Sequence, residues 1–310
     1  VRDGAGISTV PFSGKGGDLT VNASEILLQG ASGIGTGNFG EGAGNLTINT
    51  RLFTLTDGAV VGTSTFENNG NAGNFILSVE QLYVRNGSLV KTETVGNGNG
   101  GNLIIKDASF IEVVGLSSDG SVKSAISGSS LNTGNSGNLE ITTDRLVVRD
   151  GGEISTATII DGNGGNIDIN TRTLELNNGR INASTTTPQK GGDININASE
   201  SIEVIGGGFE KLQQNIIIPA FDGNENSLTL NNFDNGIVTA SEGEGNSGNI
   251  LINTPNFKAS NGGLIATTTL NQGAGGDITV NADNILEIDN SLLGTGTFTQ
   301  QSSGNINLSA

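Results

Sequence analysis

Any chemistry in this chain must come from 31 acidic and 14 basic side chains, because it has no histidine and no cysteine. That removes thiolate nucleophiles, disulfides and cysteine-zinc sites. Paired carboxylates remain, the groups that hydrolyse glycosidic bonds. A polysaccharide-cleaving site of the hydrolase type draws on an Asp-Asp pair and a histidine, and neither occurs. A lyase-type site sets a basic residue beside clustered, calcium-binding aspartates. Arg51, Arg85, Arg145, Arg149, Arg172 and Arg180 have no recurrent acidic cluster next to them in sequence. Solvated charge on strand faces is the expectation for all of them.

Four other patterns invite chemistry. Glu93, Glu112, Asp168, Glu175 and Glu203 would form a cation-binding stripe if they stacked, since equal charges one strand apart repel; exposure in separate columns is expected instead. Gly-Gly-Asp at 16–18, 191–193 and 275–277 resembles calcium-binding nonapeptides only in part, because the tandem Gly-Gly-x-Gly-x-Asp never appears. The glycine string at 96–102 lacks the Lys-Ser/Thr and following helix of a phosphate loop, and reads as a corner turn. Thr-x-Thr recurs at Thr63 and Thr65, Thr92 and Thr94, Thr267 and Thr269, and Thr295 and Thr297. On stacked strands this would make a flat hydroxyl array able to meet ice or a carbohydrate lattice, although threonine also suits an ordinary exposed strand. No catalytic, cofactor-binding or metal-binding set is assigned, and no cofactor is expected.

The elements that would carry these residues follow from a repeat. Ten anchors of the form Gly-(Asn/Asp)-apolar-x-apolar begin at Gly17, Gly44, Gly73, Gly101, Gly137, Gly165, Gly192, Gly248, Gly276 and Gly304, spaced by 27, 29, 28, 36, 28, 27, 56, 28 and 28 residues. A second apolar pair follows nine to twelve residues after the anchor, as in Phe53 and Leu55 or Leu174 and Leu176, and a third short run comes after a glycine or asparagine turn. Each repeat therefore holds three short period-2 segments. It is too short and too poor in aromatics for a propeller blade, since only 4% of the chain is aromatic. Coils of a parallel β-helix fit, because each inward side chain rests on its equivalent one coil away and a hydrophobic content of only 34% suffices.

The expected fold is all-β: a right-handed parallel β-helix, or β-solenoid, with about 28 residues and three short strands per coil and about nine to ten coils over residues 1–310. Leu46 through Ile306 at the first apolar position, and Ile48 through Leu308 at the second, should form two internal columns. The asparagines after the anchor glycines should stack as an amide ladder that Asp18, Asp193 and Asp277 interrupt. The long intervals predict a loop insertion at 116–123 and, at 206–234, either an insertion, which is favoured, or a degenerate coil. The run NIIIPAF at 215–221 is the most hydrophobic part of that segment, placed either against the solenoid or as an exposed contact site. The chain opens inside one coil and closes inside another without a capping element. It is therefore expected to belong to a longer protein or to stack on another copy.

The repeated GNIDINTRTLELNNGRINAST and GDININASESIEV patterns resemble the filamentous-haemagglutinin-like exoproteins of two-partner secretion in Gram-negative bacteria. The resemblance covers nearly the whole chain except 206–234. It implies a secreted, extracellular or cell-surface protein exported through an outer-membrane β-barrel partner and acting as an adhesin or surface fibre; the family's N-terminal secretion domain is absent from these residues. A net charge of −17 repels phosphate backbones, so no nucleic-acid partner is expected. A glycan or cell-surface receptor and end-to-end self-association are the expected partners. The enzyme reading, a polysaccharide-binding or polysaccharide-processing β-helix, would require the segments 116–123 and 206–234 to form a cleft with converging carboxylates.

Overall fold

A computed structural model describes residues 1–66, 70–221, 228–297 and 300–310. The chain is a β-solenoid of about ten turns. Its strands lie in two ten-stranded parallel sheets, and each strand pairs with its equivalents about 28 residues before and after it. Parallel strands so close in sequence can be joined only by carrying the chain around a coil.

Each turn contributes a long strand, such as Leu46–Thr56 or Ile167–Asn177, and a short one, such as Val60–Thr65 or Leu264–Thr269. The first two of the three expected segments thus run together in one strand, in which the side-chain alternation slips by one residue. Leu46 and Ile48 point inward, then Phe53 and Leu55, so Arg51 and Leu52 both face out. The slip bends the strand at a small residue: Ala108, Thr143, Thr171, Ala198, Thr254 and Ala282 occupy the inner side of the bend. The hydroxyls of Thr143, Thr171 and Thr254 donate to the carbonyl two residues on, at 3.3, 3.0 and 3.4 Å, which satisfies a carbonyl at the bend.

The two internal columns are present. Leu46, Phe75, Leu103, Leu139, Ile167, Ile194, Ile250 and Ile278 are buried, as are Ile48 through Val280 in the second column. Ile306 and Leu308, in the last turn, have a neighbour on one side only and remain 41% and 45% exposed. In the middle turns each inward residue loses nearly all its surface to the turn above and the turn below. A fully buried aliphatic side chain contributes about 1.5–3 kcal/mol, so the core is long and thin.

The ladder after the anchor glycines runs without a break through ten residues. The backbone N–H of Asn74 donates to Oδ1 of Asn45 at 3.0 Å, that of Asn102 to Asn74 at 2.9 Å, and so on along the column. Asp18, Asp193 and Asp277 do not interrupt it: their Oδ1 atoms accept from Asn45, Asn249 and Asn305, each at 2.7 Å. The link uses only an acceptor oxygen, which aspartate supplies as well as asparagine. True amide-to-amide links occur in another column, from Asn197 to Asn170 at 3.1 Å, Asn253 to Asn197 at 2.8 Å and Asn281 to Asn253 at 2.8 Å.

The Thr-x-Thr residues are not a surface array. Thr63, Thr65, Thr92, Thr94, Thr267 and Thr269 are buried; Ser64 and Glu93 between the first two pairs face out, and Thr268 is itself buried. The first threonine of each pair donates to the carbonyl of the next anchor glycine, as Thr92 does to Gly101 at 2.6 Å and Thr295 to Gly304 at 2.8 Å; Thr239 makes the same bond to Gly248 at 2.7 Å. A solenoid corner leaves carbonyls facing its own interior, and an inward threonine satisfies one of them. Surface β-propensity was the wrong guide to these residues.

Both long intervals enter at one corner. Most long and short strands are joined by two or three residues, such as 57–59 or 178–179, but Leu103–Val114 leads to Ala125–Ser130 through 115–124, and Ile194–Ile205 to Gly236–Ser241 through 206–235. The long strand before the second connection pairs directly with the one after it, Ile194 with Ile250 and Ile202 with Phe257, so the segment 206–235 adds no strand to that sheet. Its residues 222–227 lie outside the described ones. No helix among the described residues is long and apolar enough to cross a membrane.

Candidate functional site

The loop 115–124 closes on itself through a bridge between Leu116 and Lys123. At its tip, Asp119 accepts hydrogen bonds from the Ser117 hydroxyl at 2.5 Å and from the backbone and hydroxyl of Ser121 at 3.1 and 2.8 Å. These donors hold its carboxyl down to about 2. The base of the loop lies over neighbouring turns: a Cβ on Gly87 would sit 2.7 Å from Ser117, and one on Gly151 2.9 Å from Leu116. Both glycines have positive φ, of 76° and 86°, so each position requires glycine for its turn and for its close neighbour.

The second connection folds into a short helical run, Phe209–Leu212, Gln213–Ile217 and Ile218–Phe221, wound wider in the middle as a π turn. Leu212 and Ile216, four residues apart on one side of the run, pack with Leu228 and Phe233 against Val238, Ala240, Leu264 and Ala266. These last four are outward-facing residues of the short-strand sheet, and the insertion covers them. The three isoleucines therefore divide: Ile216 is buried and Ile217 partly so, while Ile218 is 53% exposed.

A row of alternating charges joins the two insertions along the first outward position of the short strands. Lys123 in the loop pairs with Glu153 at 2.8 Å. Glu153 lies beside Arg180 in the next turn, and Arg180 is attracted by both Glu153 and Asp234. Asp234 then pairs with Lys211 of the helical run at 2.5 Å. Burial pushes the Glu153 carboxyl up, but Arg180 and Lys123 outweigh it and the net shift is downward. Burial lowers the Arg180 guanidinium despite its two acidic neighbours, and its Nε is buried with no hydrogen-bond partner. Glu153 and Arg180 are the desolvated members, so removing Lys123 or Asp234 takes a partner from a buried charge, which ties both insertions to the scaffold.

A second charged cluster lies on the outer face of the long strands. Glu112 accepts from Arg85 Nε at 2.7 Å and from Arg149 at 3.1 Å. Burial raises its carboxyl, and the two guanidiniums more than offset this, leaving it below the usual range. Arg85 lies 4.4 Å over the Tyr83 ring and Arg145 5.8 Å over Phe110. Arg145 pairs with Glu175 and Arg172 with Glu200 on the following turn.

The carboxylates of the sequence reading are thus partly brought together. Glu112, Val147, Glu175 and Glu203 share one outward column, contrary to the expectation of separate columns, while Glu93 and Asp168 stand elsewhere. Arginines on adjacent turns hold Glu112 and Glu175, and no group of three or more acidic residues suited to a metal ion occurs among the described residues. The arginines have no recurrent acidic cluster beside them in sequence, but partners about one period away, such as Arg85 and Glu112 or Arg172 and Glu200, meet in space. Adding one period to Glu153 reaches Arg180, so the charge row could have been found by extending the repeat to the outward positions.

The insertions leave the solenoid three turns apart, a separation of roughly 14 Å at one strand spacing per turn. Two of their carboxylates are engaged locally: Asp119 is bound within its own loop and Asp234 is paired with Lys211. A comparison with known protein families, characterised proteins and solved structures finds no match to this chain.

Proposed function

We propose that this chain is a structural and adhesive segment of a secreted bacterial surface exoprotein or extracellular fibre, wound as a right-handed parallel β-helix and without catalytic activity. The observation that carries the reading is the pair of insertions fastened at one corner of a repetitive scaffold. Loops that interrupt a repeat and are held in place by it are where recognition is built on such proteins. The resemblance of the repeats to filamentous-haemagglutinin-like exoproteins supports export through an outer-membrane partner and a glycan or cell-surface receptor as the ligand.

Acid-base chemistry has less support. A general acid in a glycosidase needs a carboxyl raised toward neutrality. Asp119, Glu153 and Glu112 are shifted the other way by their donors and cationic neighbours.

The test is a glycan and cell-surface binding screen with the intact chain and with a variant lacking 207–234. Gly206 joined to Asn235 leaves a two-residue connection like Asn178-Gly179, so the sheets should remain and their far-UV circular dichroism should be retained. Val238→Thr and Leu264→Thr in the same variant keep the uncovered face soluble. We expect the intact chain to bind and the variant to lose binding. Equal binding by both would remove the insertion from the site, and release of reducing sugar from a bound polysaccharide would overturn the non-catalytic reading.

A further inference from the structure

Just past the first six short strands, an outward residue stacks on its equivalent in the next turn. The backbone bonds from Phe66 to Asn38, Val95 to Thr65, Leu131 to Thr94 and Ile159 to Ser130 set the register. Phe12, Phe39, Phe66, Val95, Leu131 and Ile159 therefore form one external column over six successive turns. The rings of Phe12 and Phe39 stack at 5.5 Å and 15°, and those of Phe39 and Phe66 at 4.9 Å and 28°. Phe12 is 85% exposed, Phe66 40%, Val95 38% and Ile159 47%.

We propose that this apolar ridge is a lateral contact between two copies of the chain, ridge against ridge. Three observations select that occupant. Both faces of the Phe39 ring are used, against Phe12 and Phe66, which disfavours a sugar stacking on it. The ridge also repeats at the strand spacing of about 4.8 Å, a period that a second copy reproduces turn for turn, so side chains can interdigitate as in a steric zipper. Finally, the described residues beside the ridge carry little charge on a chain of net charge −17: Gly37, Ser64, Ser129 and Ala157 lie on one side, Gly40 and Gly96 on the other, and Glu93 is paired with Lys91, while Glu67 lies outside the described residues. Two such acidic molecules can approach most closely where neither presents charge. The contact is isologous, so the residues at its centre, Phe66 and Val95, meet those of the second copy. Five strand spacings by about 12 Å give roughly 300 Å² per copy, the size of a weak contact.

The inference goes beyond the adhesive reading and fails separately from it, because the insertion is not part of the ridge. A weak contact is best trapped covalently, and the native chain has no cysteine. In Val95→Cys, near the middle of the ridge, oxidised glutathione should produce a disulfide-linked dimer at least tenfold faster than in Thr47→Cys, which lies on the other sheet. Adding Phe66→Glu and Ile159→Glu to Val95→Cys should reduce the rate to that of Thr47→Cys, with circular dichroism and melting unchanged because both sites are external. Equal rates in the two single variants, or a rate insensitive to the added glutamates, would overturn the proposal. So would an uncrosslinked Val95→Cys chain that co-sediments with neutral phosphatidylcholine vesicles, which would make the ridge a lipid contact.

Discussion

Replacing Gly137 by alanine is expected to abolish cooperative folding, whereas the same change at Gly17 should leave the melting transition nearly where it is. The anchor glycines stack so closely that an ideal Cβ on Gly137 would lie 1.9 Å from the Gly101 carbonyl oxygen. The same holds at Gly101, Gly165, Gly192, Gly248 and Gly276, where the distance to the preceding glycine's oxygen is 1.8–2.0 Å. None of these glycines has a left-handed backbone, so the requirement is space and not dihedral freedom. The atom in the way is backbone, and relief requires two turns to separate, which breaks the ladder between them. The cost should exceed about 4 kcal/mol, the range reached when a substitution has no rotamer that avoids a clash. Gly17 has nothing within 4 Å of the position of its Cβ and serves as the control. Thermal unfolding followed by circular dichroism reads both, and a Gly137→Ala protein that melts like the parent would contradict the close stacking.

Ile169→Asp is the second large effect. Ile169 is fully buried between Ile141 and Ile196 in the registered column. A carboxylate there has no cation or donor within the column, and burying it unpaired costs at least several kcal/mol unless it takes up a proton. Its folded-state pKa would be raised above the unfolded value. The protonated form therefore tolerates burial below the unfolded pKa, and stability falls as pH rises through the range between the two values. The variant should melt lower than the parent at every pH, with a deficit markedly larger at pH 7 than at pH 4. Thr47→Asp, at an outward position of the same sheet, should melt within a few degrees of the parent. An Ile169→Asp chain with unchanged melting would show that the side chain does not point inward.

The parts of the structure that depend on the inward pattern could be read from the sequence, because a buried column admits few residue types and repeats them at a fixed interval. Leu139, Ile167 and Ile194 announce themselves in this way. The threonines did not, because hydroxyl groups are compatible with both an exposed strand and an inner corner, and only the glycine carbonyls facing Thr92 or Thr239 decide between the two. Asp193 looks like an interruption because of its charge, whereas the ladder needs only its oxygen. The bend within each long strand was hidden because two outward residues in succession, such as Arg51 and Leu52, look like a break between strands. The candidate site was the least legible. Glu153, Arg180 and Asp234 are brought together by register and by a fold of the insertion that no local pattern encodes, and the covering role of Leu212 and Ile216 depends on Val238 and Leu264 facing out.

The most direct test of the coiled architecture is a set of distances between spin labels at Thr47 and, in turn, Asn195, Leu251 and Thr279, introduced as cysteine pairs. These positions share one outward column, with Thr47 five, six and seven turns away from the other three. The separations expected are about 24, 29 and 34 Å, one strand spacing of about 4.8 Å for each turn. Leu251 should therefore lie a single step beyond Asn195 although 56 residues separate them. Distances that do not rise in order along the column, or a step near 10 Å between Asn195 and Leu251, would contradict the account.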